Sequence, residues 1–165
     1  MSRIAVVLCV ALLSIPLAPD ASQSTLTPEQ RAHFEALQKA SPIPILVDRS
    51  CASKEDAALF LECGAKALST KPGRVGLAET RAIAAMASLR GAKTAVGIYA
   101  ESALGTLVNL QQPGTMAAEQ TFFLTMTQQV STLVPEIRGG TIELPPEADL
   151  SKLVDWGRIK KFATT

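Results

Sequence analysis

Between Thr94 and Pro135 only two side chains, Glu101 and Glu119, carry charge. A stretch of that length with no solvated charged face has to lie inside a fold or against another surface. Within it, residues 115–134 read TMAAEQTFFLTMTQQVSTLV. On a helix, Phe122, Phe123, Met126, Val130, Leu133 and Val134 fall on one apolar stripe at three- and four-residue spacing. Thr121, Thr125, Gln128 and Thr132 fall on the opposite face, which is polar but uncharged. Thr115 reads as the N-cap and Pro135 as the stop. The preceding Ala-rich stretch is helical in pattern, with Gly91 as the break between helices over residues 77–90 and 93–110. Gln111-Gln112-Pro113-Gly114 is a turn, so residues 93–110 and 115–134 are expected to dock as an antiparallel hairpin inside a bundle.

The rest of the chain is read onto that hairpin. Thr27, Pro28 and Gln30 make a capping box that opens a helix over residues 28–40, with Phe34 and Leu37 inward and His33 beside them. Residues 41–48, SPIPILVD, are held extended by Pro42 and Pro44 and form a strap over the bundle. Ser53 and Asp56 open a helix over residues 54–68. Residues 70–76, TKPGRVG, form a turn. After Pro135 come a turn at Arg138-Gly139-Gly140, a short extended segment at 141–144 and a helix from Asp149 to about Trp156. Arg158, Lys160 and Lys161 belong to a basic tail over 158–165. The expected fold is all-α, a bundle of about five helices in one domain over residues 27–157, without an internal repeat.

Residues 1–21 have the parts of a secretory signal: Arg3, the apolar run IAVVLCVALL, Pro16, and small residues before a cleavage point after Ala21. An uncleaved anchor helix is the alternative. Residues 22–26 then form a leader, and the location is periplasmic or secreted, with no permanent membrane span after signal removal. Removal of Cys9 leaves Cys51 and Cys63, an even number that predicts a disulfide in an exported protein. Cys63 sits roughly 14 Å along the helix that Ser53 opens, so Cys51 must fold back to reach it. One histidine and no close Cys or His pair argue against a metal site, and no cofactor motif is present. The formal charge of +1 lacks the footprint of a nucleic-acid binder.

Two chemistries are legible. Glu101 and Glu119 are the one carboxylate pair in the apolar layer, which suits a cell-wall glycan hydrolase. Against it, aromatic content of 4% leaves little surface to hold a sugar ring. The leading expectation is a non-enzymatic binding protein of the bacterial envelope, an inhibitor, immunity factor or secretion accessory. It would meet a protein partner or a second copy through Thr121, Thr125, Gln128 and Thr132. The segment Leu26-Thr27-Pro28-Glu29-Gln30 resembles the LTxxQ pattern of the Spy/CpxP family of periplasmic helical chaperones. That resemblance implies a third reading, a helical chaperone.

Overall fold

The computed structural model describes residues 26–146 and 149–163, so the signal segment and most of the leader lie outside the described residues. The fold is mixed α/β around a parallel sheet, and the all-α expectation is overturned. The chain runs α1 (Pro28–Ala40), β1 (Leu46–Val47), α2 (Lys54–Glu62), β2 (Ala67–Thr70), α3 (Pro72–Val75), α4 (Leu77–Leu89), β3 (Lys93–Val96) and α5 (Ala103–Asn109). A 3-10 turn (Phe122–Thr125), the hairpin β4 (Ile137–Arg138) and β5 (Thr141–Ile142), a second 3-10 turn (Leu150–Leu153) and α6 (Trp156–Phe162) follow. The sheet order is β1-β2-β3, both pairings parallel. Parallel neighbours need a crossover, and α2, then α3 with α4, supply the two crossovers.

α1 has the expected bounds and the expected capping box: Gln30 N–H donates to Thr27 Oγ1 at 3.2 Å, and Thr27 N–H donates to Gln30 Oε1 at 2.8 Å. Capping alone accounts for the LTxxQ letters, and a parallel α/β fold is not a helical chaperone. Only the end of the proline strap, Leu46-Val47, is a strand. Pro42 and Pro44 carry the chain clear of α1, and Leu46-Val47 then pair with Ala67-Leu68. Gln38, buried on α1, ties the helix to the strand starts, accepting from Ile45 N–H at 3.2 Å and Lys66 N–H at 3.4 Å.

A repeat underlies the sheet. α2 and α4 each end at a glycine with positive φ, Gly64 at +81° and Gly91 at +66°, the usual left-handed helix stop. Each glycine is followed by a buried alanine whose N–H returns to the helix at 2.9 Å, Ala65 to Phe60 and Ala92 to Ala87. An exposed lysine comes next, Lys66 or Lys93, and a strand starts within one residue. The letters Gly-Ala-Lys therefore mark two copies of one helix-to-strand unit. Both strands escaped the sequence reading for one reason. Residues 67–70 are buried on both faces, as are 94–96, so they carry no period-two alternation and read as extensions of Ala-rich helices. The core between α2, α4 and one sheet face holds Phe60, Leu61, Leu68 and Ile83, with Phe34 edge-on to Phe60 at 5.1 Å.

Residues 115–134 are not a helix, and the antiparallel hairpin does not form. Thr115 N–H and Met116 N–H donate to Thr94 O at 2.8 and 3.0 Å, and Glu119 N–H donates to Val96 O at 2.9 Å. The segment thus covers the outer edge of β3, which would otherwise present bare backbone groups. Its glutamines bind backbone. Gln129 accepts from Ala103 N–H and donates to Phe123 O, both at 2.8 Å. Gln120 donates to Gly97 O at 2.9 Å. Uncharged amides in a buried position do this work without the desolvation cost of a charge. Phe123 and Leu107 are buried, while Phe122, Met126, Leu133 and Val134 are exposed.

Cys51 and Cys63 are buried free thiols, and the expected disulfide is absent. Cys51 precedes the N-cap of α2 and Cys63 is its C-cap, so the helix holds them at opposite ends, well beyond the roughly 7 Å between Cα atoms that a bridge tolerates. Residues read as a basic tail continue into α6, capped by Asp155 accepting from Arg158 N–H at 3.0 Å. Among the described residues no helix is long and apolar enough to cross a membrane.

Candidate active site

In a parallel sheet flanked by crossover helices, the loops leaving the carboxyl ends of the strands converge at one edge, and ligand sites form there. All three strands point the same way, so the residues just past them meet. Asp48 follows β1, Lys71 follows β2, and residues 97–101 follow β3. The pairings Val47 with Leu68 and Thr70 with Val96, extended by one residue, bring Asp48 beside Ser69 and Lys71 beside Gly97. Leu68 points into the helical core, so by strand alternation Ser69 and Asp48 point to the other face. That face is built of Ala67, Ser69, Ala95 and Gly97, all small and all buried.

Lys71 is the charge at the centre. Its Nζ lies 2.7 Å from Asp48 Oδ1 and donates to Ile98 O at 2.9 Å. The lysine side chain is 8% exposed and the aspartate 23%, so the pair is shielded from bulk water. Gly97 makes room for it, because a Cβ there would run into Ser69 Oγ and stand 3.2 Å from Lys71 Nζ. The second carboxylate is Glu101. Its Oε2 accepts from Tyr99 N–H at 2.7 Å, whereas its Oε1 and Ser69 Oγ are buried with no hydrogen-bond partner among the described residues. Between Tyr99 and Glu101 sits Ala100 at φ +60°, the one positive-φ residue other than glycine among those described. Such backbone strain gathers where a side chain must be aimed. Gly73, in the first turn past Lys71, lets the β2 loop approach, since a Cβ there would be 3.1 Å from Glu101 Oε1.

The arrangement joins a fixed ammonium to a carboxylate oxygen with free lone pairs at one sheet edge. It can hold an anion and accept a proton. It cannot offer a thiolate. Burial, with the Asp56 carboxylate next, pushes the Cys51 thiol from its ordinary 9.0 up to about 12, and burial likewise raises Cys63. Both are therefore protonated near neutrality.

Of the residues singled out in the sequence, Glu101 reaches this site and Glu119 does not. Glu119 is exposed on the segment beside β3, whereas Glu101 stands against the β2 loop, where a Cβ at Gly73 would be 3.1 Å from its Oε1. Thr121, Thr125, Gln128 and Thr132 are exposed but share no helix face. Thr125 donates to Phe122 O, and Thr132 donates to Leu153 O. Thr125 and Gln128 line a cavity of about 560 Å³ with Ser102, Met126, Val130 and Phe162. His33 is exposed on α1. Asp48, Ser69, Lys71 and Gly97 were missed. The recurring Gly-Ala-Lys was the signal that could have found them, by turning supposed helix ends into strands with polar residues at their carboxyl ends.

A family model described as enolase C-terminal domain-like matches residues 23–150. Among solved structures the chain is similar to muconate lactonizing enzyme from Pseudomonas putida, with 25% identity, a TM-score of 0.69, and coverage of 83% of this chain and 40% of that one. It is also similar to a mandelate racemase/muconate lactonizing enzyme from Roseiflexus sp., with 26% identity, a TM-score of 0.64, and coverage of 70% and 35%. A mandelate racemase/muconate lactonizing protein from Herpetosiphon aurantiacus shares the fold at 23% identity and a TM-score of 0.64, covering 73% and 36%. The chain thus spans well under half the length of these structures. A comparison with curated proteins finds no match.

Proposed function

The chain belongs to the enolase C-terminal domain-like family, and from that premise we propose that its strand-end cluster works on a small carboxylic acid by proton transfer at the carbon next to the carboxylate. Membership in an enzyme superfamily displaces the reading as a non-enzymatic binding protein of the envelope. It equally displaces the glycan hydrolase, whose second carboxylate, Glu119, is not at the site. The relatives are named for mandelate and muconate, both carboxylates.

The observation that carries the proposal is the buried, unpartnered Glu101 Oε1 at the edge that holds the Lys71 ammonium. An ammonium has three donors. Ile98 O takes one of them, and Asp48 Oδ1 lies 2.7 Å away as an ion-pair partner, which leaves donor capacity for a substrate carboxylate. Glu101 Oε1 takes the proton from the adjacent carbon, and the electron pair of the broken C–H bond moves onto the substrate carboxylate oxygens. Lys71 stabilises the charge that gathers there. Return of a proton from Glu101 to the same face of that carbon completes an exchange.

Enolase-superfamily sites combine a Lys or His base with one or two Mg²⁺ ions. The residues described here do not fit such an ion. Mg²⁺ takes oxygen ligands at about 2.0–2.1 Å in an octahedral set. Asp48 Oδ1 already faces an ammonium, and no three His, Cys, Asp or Glu side chains come together among the described residues. No step is therefore routed through a metal.

The test is proton exchange in D₂O, with mandelate as the probe and NMR as the readout. Wild type should wash deuterium into the carbon next to the carboxylate, and Glu101→Gln should slow that by about 10²–10⁴. No exchange by the wild type, or equal exchange by the variant, refutes the proposal. Export is proposed on the strength of residues 1–21, and cell fractionation tests it. Association with a partner chain or a second copy through Thr121, Thr125, Gln128 and Thr132 is proposed likewise. Sedimentation of wild type against Thr125→Lys tests that.

A further inference from the structure

We propose that Tyr99 is the residue by which the strand-end site selects its acid, the ring taking the flat, unsaturated part of a carboxylate held by Lys71. The inference rests on the anchoring of a carboxylate by Lys71 proposed above, but not on the proton transfer. Tyr99 is the one tyrosine of the chain. It is 54% exposed, at an edge where Ser69 and Lys71 are buried and Asp48 and Glu101 half-buried. It is thus the side chain of the cluster that an arriving molecule meets first.

Three observations fix where the ring stands. A Cβ on Gly73 would be 3.4 Å from Tyr99 Cδ1 and 3.1 Å from Glu101 Oε1, so the ring and the unpartnered carboxylate oxygen border the same point of the β2 loop. Ile98, the residue before Tyr99, accepts from Lys71 Nζ at 2.9 Å, which puts the ring next in the chain to the anchor of the ammonium. The turn that carries it is tied: Ala100 takes φ +60°, and Tyr99 N–H donates to Glu101 Oε2 at 2.7 Å. A ring on a tied turn gives up little freedom when a ligand arrives. Gly73 is itself exposed, so the ring packs on the rim and not in the core. Aromatic faces gain from stacked or edge-on aromatic partners beyond the apolar area they bury. A saturated ring of similar size buries as much apolar surface without that gain. Preference for a flat acid over a puckered one is therefore what a tyrosine supplies here and an aliphatic side chain would not.

The test compares benzoate with cyclohexanecarboxylate, two acids of one charge and similar size that differ in flatness. Protein carrying ¹³C in its tyrosine gives a single set of ring signals, because no other tyrosine is present, and NMR of those signals reads binding without turnover. Wild type should bind benzoate about two- to tenfold more tightly than cyclohexanecarboxylate, with the Tyr99 signals moved by the ring current of benzoate. Followed through the signals of the acids, Tyr99→Phe should keep that preference and Tyr99→Leu should abolish or invert it. Circular dichroism checks that both variants, at an exposed position, keep the fold. Failure of wild type to bind either acid overturns the proposal, as does equal affinity for the two. So does benzoate binding that leaves the Tyr99 signals in place, or a preference lost in Tyr99→Phe or kept in Tyr99→Leu. Proton exchange needs Glu101 and not the tyrosine ring. Exchange without a preference for the flat acid therefore leaves the proton-transfer reading standing, and the preference without exchange leaves this one standing.

Discussion

Gly97 is where one missing methyl decides the geometry of the site. A side chain at 97 would collide with Ser69 Oγ and crowd Lys71 Nζ. Overpacking of this kind typically costs about 1–3 kcal/mol. Gly97→Ala should therefore lower the unfolding free energy read from urea titration by that much, and adding Ser69→Ala should recover most of the loss, because Ser69 Oγ is the atom in the way. Additive effects in the double variant would mean that the two residues do not touch. Cys51 gives a pH prediction. Its folded-state thiol titrates at about 12, against an ordinary 9.0. The folded protein thus keeps a proton that the unfolded chain gives up between those values, and stability falls as pH rises from about 9 toward 12. Below 9 both states hold the proton and the contribution is fully present. Unfolding at pH 8 and pH 10.5, with Cys51→Ala as the reference, checks it: the wild type should lose more than the variant. Iodoacetamide at pH 8 should label Cys51 only after denaturation.

At the scale of elements, the segment after α5 shows how an uncharged sequence can be structured without being a helix. Its backbone pairs with the edge of β3 through Thr115, Met116 and Glu119, and its glutamine amides bracket loops that no regular element satisfies. Gln129 holds the first N–H of α5 through Ala103 and the carbonyl of Phe123. Gln129→Leu would strand both groups in a buried setting, at about 1–3 kcal/mol for each unsatisfied partner. Thermal unfolding of Gln129→Leu should show that loss, whereas Gln128→Leu, one residue along and exposed, should leave stability nearly unchanged. Equal effects at both positions would return the segment to a helix with a symmetric pattern. Among the helices, the starts that matched expectation carry their own caps. α1 has its capping box and α2 its Ser53 cap, both local devices that work without tertiary contacts.

For the whole molecule, the sheet is the element through which everything else is positioned. Leu68 on its central strand is fully buried, within one cluster with Phe60, Leu61 and Ile83. Leu68→Ala should cost about 2–5 kcal/mol, read as a shift in denaturant midpoint. A smaller loss would mean that the central strand is not the core. The same strand carries Ser69 and Lys71 at its far end. Stability and site are thus linked through two residue spacings along one backbone, with Leu68 toward the helices and Ser69 and Asp48 away from them.

Local chemistry was legible in the letters alone. The caps at Thr27 and Ser53, the extended pair Leu46-Val47 within the proline strap, and the helix break at Gly91 all depend on neighbours within a few residues. Glu101 was singled out as a lone charge in an apolar stretch, though paired with the wrong acid. The Gly-Ala-Lys repeat was equally present and went unread. Tertiary structure decided the rest. Residues 67–70 and 94–96 become strands because neighbours cover both of their faces, and such burial removes the alternation by which a strand is recognised. Asp48, Ser69, Lys71 and Gly97 lie on three separate segments of the sequence. Parallel pairing alone brings their strand ends to one edge, and no spacing within a single chain segment encodes that meeting.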